Sequence, residues 1–121
     1  MKFESDRFIC EINDNVAHVR FKGPQVAEYS QASYLSPELR RVVGSYEFRL
    51  LVLDCEGLTF LTSTVLEAFV AAYLRCQKLG RAVRIVHAEP LVRETLRATQ
   101  IDLLVPVHER LDEALKLDGT R

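Results

Sequence analysis

Three consecutive hydroxyl residues, Thr62, Ser63 and Thr64, precede an apolar pattern of helical spacing and are well placed to accept a phosphate. A phosphate on Ser63 would bring about −1.5 to −2 charges to a helix N-terminus, where unpaired backbone N–H groups and the helix dipole favour an anion. The folded domain would keep its structure while its surface charge changed. Such behaviour is typical of a switch that a partner protein reads.

The same hydroxyls also have a structural interpretation, because Ser and Thr cap helix N-termini. Thr64 followed by Glu67 matches the Ser/Thr-x-x-Glu capping box, and Thr62 or Ser63 can serve as the cap equally well. Capping and phosphorylation therefore both remain open from the residues alone.

Asp54 ends an apolar strand and has two interpretations. An aspartate at this place can be the phosphoacceptor of a response-regulator receiver. Such a domain, however, passes from its first strand directly into a helix and carries an acidic pair for Mg²⁺ after that strand. Here a turn leads into a second strand instead, so we expect Asp54 to hydrogen-bond the loop that follows it.

The histidines and cysteines give no sign of a metal or catalytic centre. Both sets are spread over separate segments without ligand spacing, and the odd number of cysteines predicts buried, reduced thiols. We therefore expect no catalytic residue, no metal site and no cofactor, and we expect the histidines to act separately. The residues are His18, His87 and His108, and Cys10, Cys55 and Cys76.

The composition predicts one globular domain spanning residues 1–121, with 48% apolar and 27% charged residues. A net charge of −1 argues against a nucleic-acid or anionic-membrane binder. There is no apolar run near the roughly 18 residues of a membrane span and no visible secretory signal, which predicts a cytoplasmic protein.

The N-terminal half predicts a β-hairpin, a loop and a helix. Phe8–Glu11 and Val16–Phe21 are strand-like, and an Asn-Asp-Asn turn separates them. The polar stretch Gln25–Leu35 lacks a sustained period and predicts a loop. A helix follows, capped by Ser36, with Pro37 at its first position, Glu38 at its positive end and Gly44 at its end.

The C-terminal half alternates strands and helices. The apolar run in Arg49–Asp54 predicts a central strand that is covered on both faces. The longest helix is expected to turn Leu66, Phe69, Val70, Tyr73 and Leu74 inward, and the next helix Leu91, Thr95 and Leu96. The remaining elements are a helix at Ser63–Leu79, a strand at Ala82–His87, a helix at Pro90–Thr99, a strand at Leu104–Val107, a helix at Glu109–Leu117 and a frayed tail at 118–121.

This order predicts an α/β domain with a mostly parallel mixed sheet of about five strands, an antiparallel N-terminal edge hairpin and about four helices. Function in such sheets gathers at the carboxyl ends of the strands, where loops lead into helix N-termini. The loop between Asp54 and Thr64 is therefore the expected functional region.

The segment LLVLDCEGLTFLTSTVL, residues 50–66, resembles the signature region of STAS domains, the anti-sigma factor antagonist family. The family pattern is an apolar strand, Asp, two variable residues, often Gly, an apolar residue, Thr, Phe, an apolar residue and Asp-Ser-Ser-Gly-Leu. The resemblance extends over most of the chain beyond Arg49, and the first half matches in element order. The residues that fall on the pattern in register are Asp54, Gly57, Thr59, Phe60, Ser63 and Leu66.

The resemblance implies a bacterial, non-enzymatic regulatory module with a STAS-like fold. Unphosphorylated members bind an anti-sigma factor that is also a serine kinase, which frees the sigma factor, and phosphorylation of the signature serine ends that binding. A phosphatase is a further implied partner, and neither nucleic acid nor membrane is implied. The matching phosphoacceptor is Ser63, and the switch-loop and partner-contact positions are Asp54, Gly57, Thr59, Thr62 and Thr64.

Two positions depart from the family pattern. Thr62 stands where the family usually has Asp, which keeps a capping oxygen but removes a negative charge beside the phosphoacceptor. Val65 stands where the family usually has Gly, and we expect its bulk to restrict the approach of a partner. These departures motivate an alternative function, a non-phosphorylated STAS scaffold or interaction domain in a signalling complex.

Overall fold

The computed structural model describes residues 1–116, in which six strands form one mixed sheet. The predicted tail at 118–121 and the predicted end of the last helix at residue 117 lie outside the described residues. Neighbouring strands in the sheet follow the chain order. The strands are β1 (Lys2–Glu4), β2 (Phe8–Asn13), β3 (Val16–Phe21), β4 (Leu50–Asp54), β5 (Ala82–Val86) and β6 (Val107–His108).

Helices lie on both faces of this sheet. The buried residues of α2, α3 and α4 belong to the main core, whereas α5 contributes Ala114 to a small second cluster on the other face. Within the described chain, the helix bounds are α1 (Tyr29–Ala32), α2 (Leu35–Ser45), α3 (Ser63–Lys78), α4 (Pro90–Ala98) and α5 (Leu111–Ala114), with 3₁₀ turns at Pro24–Ala27 and Ile101–Leu103.

The N-terminal hairpin is confirmed. Strands β2 and β3 pair antiparallel, and the turn between them holds Asp14 at φ 53° and Asn15 at φ 66°. Positive φ at both central residues is the geometry that matches the twist of a two-residue hairpin, and Asp and Asn tolerate it better than most residues. The sheet also has an edge strand that the sequence did not predict, β1, which is three residues long and pairs antiparallel with β2.

The parallel part of the sheet is also confirmed, because β3, β4, β5 and β6 all pair in parallel. Every residue of β4 is buried. Leu51 and Leu53 point into the main core, and Leu50 and Val52 point into the second cluster. The continuous apolar run thus reflects a strand covered on both faces.

The inward face of α3 differs from the prediction. Phe69 is fully buried, as expected, but Leu74 is 50% exposed, and Leu66, Val70 and Tyr73 are only half-buried. The face of α3 that packs into the main core carries mostly small side chains, because these let the helix lie close to its neighbours. Its fully or almost fully buried members are Val65, Ala68, Phe69, Ala72 and Cys76.

The predicted loop Gln25–Leu35 is wrong in its local structure. A 3₁₀ turn and α1 occupy most of it, and the chain buries four apolar side chains there, Val26, Ala27, Ala32 and Leu35. These residues do not recur at one helical period because three separate elements, the 3₁₀ turn, α1 and the start of α2, present them to the core. The segment is therefore part of the packed domain.

The start of α2 was also predicted incorrectly. The helix begins at Leu35 with Tyr34 at the N-cap and no side-chain capping bond. Ser36 is therefore the second helical residue and does not cap the helix, and Pro37 is the third residue rather than the first. Glu38 is in the first turn as predicted, and both of its carboxylate oxygens accept hydrogen bonds from Arg7, at 2.8 and 2.7 Å. Gly44 does not end the helix, which continues to Ser45.

The C-terminal elements are shorter than predicted. In α4 the buried residues are Val92 and Leu96, whereas Leu91 is 57% exposed. The last strand contains only Val107 and His108. Leu104 and Val105, which were predicted to be strand, instead donate their backbone N–H groups to the Ile101 carbonyl and continue the preceding turn. Among the described residues, no helix is long and apolar enough to cross a bilayer.

Candidate functional site

The carboxyl ends of β3, β4 and β5 lie at one edge of the sheet, because these strands run parallel. The loop that leaves β4 at this edge leads into α3 and is held near its start. Asp54 Oδ1 accepts a hydrogen bond from the Glu56 N–H at 3.0 Å, which confirms the expected role of Asp54. Leu58 donates its backbone N–H to the Cys55 carbonyl at 3.0 Å, and its side chain is fully buried.

The tip of this loop is exposed. Gly57 has φ 92°, in the region that L side chains rarely adopt, so glycine is needed at this turn. Thr59 is exposed and Phe60 is 39% exposed. Of the candidate partner-contact positions, Gly57 and Thr59 are therefore accessible.

Thr62 is the N-cap of α3. Its hydroxyl accepts a hydrogen bond from the Val65 N–H, with an N···O distance of 3.5 Å. The predicted capping box of Thr64 and Glu67 is therefore wrong, because the residue three positions after the cap is Val65, which has no carboxylate. Because Thr62 is the cap, the hydroxyls of Ser63 and Thr64 do not cap the helix.

Ser63 is the first residue of α3, and its side chain is exposed. Within residues 1–116, its hydroxyl has no side-chain hydrogen bond. Thr64, the next residue, is half-buried. Ser63 is therefore the most accessible hydroxyl of the triplet and lies where the first N–H groups of the helix lack intrahelical partners.

Val65 does not restrict the loop surface, contrary to the expectation from its bulk. Its side chain is fully buried in the main core beneath α3. The helix turns this position toward the sheet, so the substitution for the family glycine fills the interior. The surface around Ser63 is left open.

An apolar groove lies beside Ser63. Its volume is about 440 Å³, and it is lined by Leu66, Val70 and Leu74 along α3 and by Thr99 and Ile101 after α4. Ser63 lines the same groove. Since α3 rises about 1.5 Å per residue, the groove extends about 17 Å along the helix from Ser63 to Leu74.

Asp54 is the centre of a hydrogen-bonded cluster that the sequence analysis did not predict. His18 Nε2 lies 2.8 Å from Oδ2, and His87 Nδ1 lies 3.0 Å from Oδ1. The expectation that the histidines act separately is wrong for these two. Burial raises the pKa of Asp54, but the hydrogen bonds from His18, the Glu56 N–H and His87 outweigh it and hold the pKa below its usual value.

Strand register explains this convergence. In the parallel ladder Asp54 pairs with Val86, so His87 follows directly at the same edge. His18 pairs with Val52, two residues before Asp54 and on the same face of β4. Had the register of the predicted parallel strands been assigned, it would have placed both histidines beside Asp54.

The thiols are confirmed as free and buried. Burial raises the pKa of Cys10 to about 12 and that of Cys76 to about 11, and it raises the pKa of Cys55 as well. Thiols with such pKa values are protonated near neutral pH and are poor nucleophiles. The cysteines therefore pack as small apolar side chains.

A family model described as "STAS domain" matches residues 7–114. No curated protein matches the chain. An anti-sigma factor antagonist from Mycobacterium paratuberculosis is 27% identical, with a TM-score of 0.77 and 89% of each chain covered.

Two further structures share the fold at lower identity. An anti-sigma-factor antagonist (STAS) domain protein from Planctomyces limnophilus is 19% identical, with a TM-score of 0.77, over 92% of this chain and 96% of that one. A sulfate transporter family protein from Wolinella succinogenes is 15% identical, with a TM-score of 0.71, over 87% of this chain and 85% of that one. The fold thus occurs in proteins with different functions.

Proposed function

The chain belongs to the STAS domain family, and from this premise we propose that it is a non-enzymatic regulatory module of the anti-sigma factor antagonist type. In this proposal it binds an anti-sigma factor that is also a serine kinase, and phosphorylation of Ser63 ends the binding. A phosphatase that removes the phosphate would restore it. The similarity to the Mycobacterium paratuberculosis anti-sigma factor antagonist supports this assignment over the transporter one.

The observation that carries the proposal is the position of Ser63 beside the apolar groove. Its side chain is exposed and lines the groove, while Thr62 caps the helix. A partner that inserts apolar side chains into the groove would cover Ser63 as it binds. Modification of this residue can therefore control the complex directly.

A phosphate at Ser63 would act by charge and desolvation. It adds about −1.5 to −2 charges, and phosphate in an apolar interface opposes association because it must lose water. Glu67 also lines the groove, four residues after Ser63 on the same helix face, and adds like charge there. The free N–H groups of α3 would hold the phosphate in place, so the domain would stay folded.

The proposal is tested by affinity purification of the tagged protein from the organism that encodes it, with mass analysis of the partner and of Ser63. We expect a protein with a kinase domain, and phosphate on Ser63 under at least one growth condition. The Ser63→Glu variant should weaken the complex by at least about tenfold, whereas Ser63→Ala should leave it unchanged.

The matched control is Ser33→Glu, because Ser33 is an exposed serine two residues before the start of α2 and lies outside the groove. It places the same charge at a comparable position and should leave binding unchanged. Absence of phosphate under all conditions, together with normal binding by Ser63→Glu, would contradict the proposal.

A second candidate function is a STAS scaffold that is never phosphorylated. Thr62 favours it, because this residue serves as the helix cap where the family usually places a negative charge beside the phosphoacceptor. The groove would then bind a non-kinase partner in a signalling complex. Recovery of such a partner, with no effect of either Ser63 variant, would support this alternative.

A further inference from the structure

A second cluster of functional groups lies at the carboxyl ends of β4 and β5, and none of its residues lines the groove beside Ser63. Asp54, Glu56 and His87 each direct one ligand atom into a space where these atoms lie within 4.8 Å of one another. We propose that these three residues bind a divalent transition-metal ion. Two carboxylates and one imidazole form a donor set that binds ions such as Zn²⁺.

The spacing of the donor atoms fits an ion. Asp54 Oδ1 and His87 Nδ1 are 3.0 Å apart. An ion bound at about 2.1 Å from each atom would see them at an angle of about 90°, and an increase of about 0.4 Å in their separation would give the tetrahedral angle. The ion would replace the hydrogen bond between these two atoms, and His87 would then carry its proton on Nε2.

The surroundings hold Asp54 in a fixed orientation. His18 Nε2 lies 2.8 Å from the other carboxylate oxygen, Oδ2, and the Glu56 N–H donates to Oδ1 at 3.0 Å. The Asp54 side chain is only 3% exposed. Outer partners of this kind orient metal ligands and raise affinity.

The cluster is also open to solvent on one side. Glu56 is exposed and the His87 side chain is 35% exposed, so an ion can enter past them and reach the buried Asp54 carboxylate. Two carboxylates carry a charge of −2 that a divalent ion neutralises. Three protein ligands leave a further coordination position for water or for a partner's side chain.

The imidazole ligand favours a transition metal over Mg²⁺ and Ca²⁺, which prefer oxygen ligands alone and in larger number. We expect no cysteine to bind the ion, because Cys55, the nearest cysteine in sequence, is fully buried with its side chain in the main core. The proposal therefore predicts binding of Zn²⁺ or Co²⁺ by nitrogen and oxygen ligands only.

The test is titration of the metal-free full-length protein with ZnCl₂ in a calorimeter, with MgCl₂ as the comparison ion. We expect one Zn²⁺ per chain. The variants Glu56→Gln and His87→Gln should each weaken the affinity more than tenfold. The Glu47→Gln variant is the control, because Glu47 is an exposed glutamate before the opposite end of β4.

Two measurements separate a ligand role from an effect on folding. Circular dichroism of the metal-free variants should match that of the parent, and Co²⁺ should give a d–d spectrum without a thiolate charge-transfer band. Saturable one-to-one binding that both variants weaken, in folded protein, supports the site. Absence of saturable binding, a thiolate band, or equal affinity in either variant would overturn it.

Discussion

The assignment of Thr62 as the helix cap predicts that neighbouring hydroxyls differ in their effect on stability. The Thr62→Ala substitution removes the side-chain acceptor of the Val65 N–H. Loss of an N-cap costs about 0.5–2 kcal/mol, and the N···O distance of 3.5 Å is long for a hydrogen bond. We therefore expect a loss in the lower half of this range, about 0.5–1 kcal/mol.

Ser63→Ala should change the free energy of unfolding by less than about 0.5 kcal/mol, because exposed positions without special contacts contribute little. Ser63→Glu should be neutral or slightly stabilising, since an acidic side chain in the first turn interacts favourably with the helix dipole. The two Ser63 variants are therefore folded reagents for binding experiments.

The assay is equilibrium unfolding in urea. With a denaturant dependence of about 1.5 kcal/mol/M, the midpoint of Thr62→Ala should shift downward by about 0.3–0.7 M. The midpoints of both Ser63 variants should stay near that of the parent. If Ser63→Ala were destabilising by more than 1 kcal/mol and Thr62→Ala neutral, Ser63 would be the cap and its hydroxyl would not be free.

Three further predictions concern packing. Leu74→Ser should lower the free energy of unfolding by only about 1 kcal/mol, because Leu74 is 50% exposed, but it should weaken the partner complex measured by calorimetry. Glu38→Gln should lower the free energy of unfolding in urea by about 1–2 kcal/mol, because it disrupts a mostly buried ion pair that makes two hydrogen bonds with Arg7. Asp112→Asn should have no measurable effect, because the ion pair of Asp112 with Arg110 is exposed. The three thiols should react with iodoacetamide at pH 8 only after denaturation, since burial raises their pKa values, and labelling of the native protein at the rate of free cysteine would contradict this.

Local signals in the sequence predicted the elements whose structure is determined locally. The Asp14–Asn15 turn is one example, because the turn requires residue types that tolerate positive φ. The strand β4 is another, because burial on both faces requires consecutive apolar residues. Ser36 was misassigned because it has the chemistry of a cap, while the helix starts earlier, where packing buries Leu35. Burial of a side chain in the core can therefore move the start of a helix away from the residue with the best capping propensity.

The candidate site likewise has one part that adjacent residues predict and one part that depends on residues far apart in the chain. The exposed serine at the start of α3 follows from a motif of adjacent residues, so the sequence identified it. The cluster at Asp54 depends on His18 and His87, which lie 36 and 33 residues away in the chain. Only strand order and register bring them together, and the register depends on the packing of the whole sheet.

The way the loop between β4 and α3 is anchored bears on how the proposed switch would work. The loop is held at its start by the hydrogen bond between Asp54 and Glu56, in its middle by the buried side chain of Leu58, and at its end by the Thr62 cap. A phosphate on Ser63 would add charge beyond these anchors without breaking any of them. Since the chain has a net charge of −1, the added −1.5 to −2 charges would be a large change concentrated beside the groove. The anchored loop therefore favours a switch in which the partner senses altered surface charge and hydration, while the fold that presents Ser63 stays the same.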